Sequence, residues 1–79
     1  MSNQYTIVTL AGEPVAMAGD GEAEIVTGLD EHRTRTVAAM CLFALEVQAG
    51  AIDSPYTNER ALAYAQLALG KTGAGRARS

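Results

Sequence analysis

Polar and apolar positions alternate along the first third of the chain and then give way to long apolar stretches, a change of period that predicts strands followed by helices. Residues 4–10 (Gln-Tyr-Thr-Ile-Val-Thr-Leu) are rich in β-branched and aromatic types, with Tyr5, Ile7 and Thr9 on one face and Thr6, Val8 and Leu10 on the other. Residues 11–14 read as a turn, since Gly12 permits positive φ and Pro14 carries no N–H. A short second strand follows at 15–17, and the Asp20-Gly21 pair favours a tight hairpin. The third strand, 22–27, places Ala23 and Ile25 on one face and Glu22, Glu24 and Val26 on the other. Because the second strand is so short, a two-stranded hairpin with a long loop is the competing arrangement.

The longest uninterrupted apolar run is 37–45, Val-Ala-Ala-Met-Cys-Leu-Phe-Ala-Leu. It falls well short of the about 20 residues that span a bilayer, and a surface helix would interrupt it with a polar residue at each turn. It therefore predicts the middle of a helix buried on more than one side. That helix spans 30–49, capped by Thr27 or Asp30, with Asp30 and Glu31 at the positive end of its dipole and Gly50 as the residue after its C-cap. Val37, Met40, Cys41, Ala44, Leu45 and Val47 form its main face, with Arg35, Ala39, Leu42, Phe43 and Glu46 behind. Leu42 and Phe43 need cover from the second helix or from a second copy, which makes them the candidate self-association residues of a homodimer.

Residues 51–53 connect the helices, with Ile52 plugging the core. Ser54 as N-cap and Pro55 as the first helical residue predict that the second helix starts there and ends near Leu69, before Gly70. Its core side is Ala61, Leu62, Ala65, Ala68 and Leu69. The fold class is thus α+β, a small antiparallel meander of two or three strands followed by two packed helices (βββαα). One compact domain covers 1–70, and 71–79 reads as a basic, Gly-rich, disordered tail.

Composition makes the core thin. A 79-residue chain buries only about 60% of the surface its unfolded form exposes, and 15 of its apolar residues are alanines, with no Trp and a single Phe. Such a domain often borrows burial from a partner. The net charge of −3 hides an asymmetry: 1–31 holds six acids and no Lys or Arg, whereas 32–79 holds six basic residues and three acids. The acidic part should steer toward a basic surface, which nominates Glu13, Asp20, Glu22 and Glu24 as partner-binding residues.

Candidate chemistry is sparse. Cys41 is the only cysteine, so no internal disulfide and no cysteine metal site can form, and its place in the apolar run makes it a core residue. His32, the only histidine, sits beside Glu31 with no nucleophile placed to partner it. Asp20, Glu22 and Glu24 alternate but lack the further ligands of a calcium loop. Residues 65–72 match a relaxed phosphate-loop pattern through Ala65, Gly70, Lys71 and Thr72, but a helix and not a strand precedes it. The expectation is therefore no enzyme, no cofactor and no metal.

The stretch Tyr56, Arg60, Tyr64 and Leu67, spaced four, four and three, is the feature with an interface composition, because Tyr and Arg concentrate at the energetic centres of interfaces. These residues and the acids together predict a non-catalytic protein-binding regulator or inhibitor that occludes a larger partner with a basic, nucleic-acid-handling surface. Small phage-encoded inhibitors of host defence, anti-CRISPR proteins among them, have this size, and the comparison rests on size and style alone. The alternative is a ribbon-helix-helix-like dimeric DNA-binding regulator built from the third strand and two helices. Glu22 and Glu24 stand against it where a phosphate-rich groove calls for Lys or Arg. The first residues, Met-Ser-Asn-Gln-Tyr, do not resemble a secretory signal, so a cytoplasmic setting, bacterial or host, is expected, with no membrane and no direct nucleic-acid partner.

Overall fold

The structure, a computed structural model, describes residues 5–77, with side chains through Gly70. Strands β1 (Thr6–Leu10), β2 (Glu13–Gly19) and β3 (Glu22–Ile25) form an antiparallel sheet in that order, followed by helices α1 (Glu31–Gln48) and α2 (Asn58–Ala77). This is the α+β meander-plus-two-helices architecture, with all three strands present.

Both strand connections are two-residue turns that demand left-handed backbone. Ala11 and Gly12 have φ of 56° and 85°, and Asp20 and Gly21 have 51° and 77°. Two successive positive-φ residues match the right-handed twist of a hairpin. Only Ala11 of the four belongs to a residue type that rarely adopts this conformation.

β2 is longer than its sequence suggests, running from Glu13 to Gly19 through Pro14. The register explains how. Val8 pairs with Ala16 but Thr9 pairs with Pro14, so Val15 is an inserted residue and the proline stands beside an irregularity where a missing N–H is tolerated. The insertion breaks the two-residue alternation, and both Val15 and Ala16 are buried. Ala16 and Ala18 are poor strand formers by type, yet both are fully buried under α1, where the absence of bulk lets the helix approach the central strand.

α1 packs across all three strands, and α2 packs on α1 and along β1. The core consists of Val8, Val15, Ala16 and Ala18 from the sheet, Val37, Met40, Cys41, Phe43 and Ala44 from α1, and Ala61 and Ala65 from α2. α1 begins as expected: the Asp30 carboxylate accepts from the Arg33 N–H at 2.8 Å. It ends in a Schellman arrangement. Gly50 has φ of 80°, its N–H bonds the Val47 carbonyl at 3.1 Å, and the Ala51 N–H bonds the Glu46 carbonyl at 2.9 Å.

Three expectations are corrected. The buried arc of α1 takes in Thr36 and Phe43, while Leu45 and Val47 are only half-buried, because α2 packs on the Phe43 side. Thr36 joins that arc at no hydrogen-bonding loss, since its hydroxyl donates to the His32 carbonyl at 3.1 Å. Ala23 and Ile25 share the face of the buried Ala18 and Ala16 with which they pair, yet every residue of β3 is exposed because the strand lies at the margin of the sheet.

α2 starts at Asn58, three residues after Pro55, with Thr57 as its cap: the Thr57 hydroxyl accepts from the Arg60 N–H at 3.2 Å. It also continues past Leu69 to Ala77. Gly70 weakens a helix without forcing it to end, and unlike Gly50 it is not in the positive-φ region. The tail reading of 71–79 concerns side chains, and at 78–79 backbone, outside the described residues.

Candidate functional site

The spacing that marked Tyr56, Arg60, Tyr64 and Leu67 as one stripe is divided by the fold. Tyr56 precedes α2, and both tyrosines turn onto Phe43, with ring centroids 5.9 Å away for Tyr56 and 5.1 Å for Tyr64, tilted by 39° and 36°. Offset, tilted rings at these separations are a favourable aromatic packing. Phe43 is 5% exposed as a result, covered within one chain by the rings of Tyr56 and Tyr64. Leu42 stays 48% exposed. Arg60 and Leu67, the latter 67% exposed, point away from the aromatic cluster into solvent.

The hydroxyls of the two tyrosines reach polar partners at the rim. Tyr56 donates to Asn58 Oδ1 at 3.2 Å, and Tyr64 to Glu46 Oε1 at 3.4 Å, long for such a bond. Lost hydration, then the Glu46 charge and this bond, push the Tyr64 hydroxyl above its ordinary pKa. Tyr56 is raised by lost hydration and then by Cys41. Burial likewise raises the Cys41 thiol, leaving a protonated, weakly nucleophilic sulfur in the core. Beside this cluster a groove of about 320 Å³ is lined by Tyr5, Thr6, Ala44, Val47, Gln48 and Tyr56.

The four acids do not form one site. Glu13 opens β2 and Asp20 follows its other end, seven residues along, so about 23 Å of strand separates them. Asp20, Glu22 and Glu24 do come together at the β2–β3 hairpin. Glu22 and Glu24 point to the same sheet face, about 7 Å apart along the strand, with Glu24 opposite Met17 and Met17 opposite Ile7. All three acids are exposed, and none of them is ion-paired among the described residues. Arg35 instead pairs with Glu31 at 3.7 Å on the exposed side of α1.

The face opposite α1 is open: Ile7 is exposed and Met17 half-buried beside Glu24. At the free edge of the sheet Val26 is 54% exposed, and Ile25, which its pairing with Ala16 turns to the α1 side, is 39% exposed. These two apolar residues and the free backbone of β3 escaped the reading of the sequence, in which Glu-Ala-Glu-Ile looked like an ordinary half-buried strand. The two adjacent apolar residues after the glutamates were the signal that could have marked them.

His32 is exposed in the first turn of α1. Among the described residues no group of three or more His, Cys, Asp or Glu is placed to hold a metal. The backbone of the phosphate-loop-like segment 65–72 is continuous α-helix, so it makes no loop around an anion. No helix among the described residues is long and apolar enough to cross a membrane. Comparison of the chain with protein-family models, with curated proteins and with solved structures finds no match.

Proposed function

We propose that this protein is a non-catalytic binding module, a small regulator or inhibitor that works in the cytoplasm by covering a basic surface of a larger partner. The observation that carries the reading is the β2–β3 hairpin, which presents Asp20, Glu22 and Glu24 exposed and with no ion pair among the described residues, beside the apolar Ile25 and Val26. Acids that lack an internal cation retain their full field for steering, and adjacent apolar area supplies the burial that charge alone does not. A nucleic-acid-handling protein offers such a basic surface, and an inhibitor of the anti-CRISPR style would act there by occlusion. Arg60, Leu67 and Glu13, all exposed, are secondary candidates for contact.

The test is affinity capture from a host lysate with the wild-type chain and with the triple variant Asp20→Lys, Glu22→Lys, Glu24→Lys. A basic protein retained by the wild type, released by rising salt and absent from the variant's eluate is the expected result. Salt-sensitive, micromolar binding to random duplex DNA in a gel-shift assay would overturn it in favour of a DNA-binding regulator.

A further inference from the structure

We propose that the partner is engaged by strand addition at the free edge of β3, and that the added strand alternates basic and apolar residues. This inference rests on the acidic-surface reading and specifies how that surface is used. β3 is an edge strand, paired with β2 on one side only. Val26 donates its N–H to the Val15 carbonyl at 2.7 Å. In an antiparallel ladder, backbone groups turn alternately to the two sides. Glu22, Glu24 and Val26 therefore face β2, and the N–H and carbonyl groups of Ala23 and Ile25 face the open edge. All residues from Glu22 to Gly28 are exposed, so no loop or helix among the described residues covers this edge.

An open edge pairs with any extended chain unless its side chains forbid it. Here they disfavour two self-pairing registers and favour another occupant. In two-fold pairing of β3 with a second copy, a register centred on Ala23 sets Glu22 against Glu24. Centring on Glu24 sets that residue against its own copy. Like charges directly opposite destabilise a strand pair, so both of these registers are disfavoured and self-pairing is left with registers such as the one centred on Ile25, where Glu24 meets Val26. A strand carrying Lys or Arg at alternate positions reverses that sign at both glutamates. Its intervening residues then fall opposite Ala23 and Ile25, on the helix side of the sheet. Ile25 is 39% exposed there, and an apolar neighbour would cover it. The recognised element is thus an extended basic–apolar–basic–apolar segment of a protein, held by main-chain bonds at Ala23 and Ile25 and selected by Glu22 and Glu24.

The experiment adds a capped hexapeptide of alternating valine and lysine to the full chain at low ionic strength and follows amide hydrogen exchange by NMR. Exchange at Ala23 and Ile25 should slow by about tenfold or more. The effect should disappear with Ala23→Pro, which removes an outward N–H and no bond to β2. It should also disappear when the peptide is N-methylated at its valines, a control that leaves the protein unchanged. The pair Glu22→Lys and Glu24→Lys should transfer the response to an alternating valine–glutamate peptide. Equal binding of the N-methylated peptide, or no slowing with the unmodified one, overturns strand addition while leaving the acidic-surface reading intact. Unchanged preference for the lysine peptide in the double lysine variant overturns that reading as well.

Discussion

At the scale of single residues, the backbone makes sharper demands than the side chains do. Ala11 holds a φ of 56° in an exposed turn, a conformation that costs an L-residue about 1 kcal/mol or more relative to glycine. Ala11→Gly should therefore stabilise the domain by up to about 1 kcal/mol, seen as a higher urea midpoint with an unchanged slope. Gly50 is the opposite case. A Cβ there would meet nothing within 4 Å, so Gly50→Ala should cost about 1 kcal/mol through backbone strain alone and not through a clash. A loss of several kcal/mol in the same unfolding assay would show that the site is sterically closed.

At the scale of elements, the joint between α1 and α2 depends on Phe43 more than on any charged group. Phe43→Ala removes the ring against which Tyr56 and Tyr64 pack, and about 3 kcal/mol or more should be lost. Leu42→Ala, one residue away and half in solvent, should cost much less, on the order of 1 kcal/mol. Paired thermal melts would check the contrast, and equal losses would mean that Leu42 is covered in solution by a second copy. The start of α2 gives a similar pair. Thr57→Ala should cost about 1 kcal/mol as a lost cap, whereas Ser54→Ala should be nearly silent, because the helix begins after Thr57.

At the scale of the whole molecule, the three acid groups raised among the described residues point in one direction. Cys41, Tyr56 and Tyr64 all hold their protons more tightly in the folded chain than in the unfolded one. Their contribution is complete below the unfolded values, about 8.5 for a thiol and about 10 for a phenol, and is lost as pH rises through the higher folded values. Stability should accordingly fall above about pH 9, and denaturant titrations of Tyr64→Phe should show a shallower alkaline decline than the wild type. A decline of unchanged steepness would show that the Glu46–Tyr64 pair contributes nothing to it.

The order of elements was legible in the chain because it depends on local chemistry. Alternation in 4–10, the Asp20-Gly21 turn, the Asp30 cap and the Gly50 stop each act within a few residues, and each lies where the sequence places it. What lay beyond the sequence was the outcome of competition between elements. The spacing of Tyr56, Arg60, Tyr64 and Leu67 describes one helical face, yet α2 starts after Tyr56 and its tyrosines are drawn onto Phe43, because burying three rings outweighs leaving them in water. The inserted Val15 alters which residues of β2 face the core, and that depends on how two strands align. The exposure of β3 has the same origin: its residues alternate like those of a core strand, but only the assembled sheet makes it an edge, with Glu22 and Glu24 beside an unpaired backbone. Local residues specify turns and caps because those interactions close within the segment. Faces and edges are decided by the tertiary structure, because burial is shared among elements far apart in the chain.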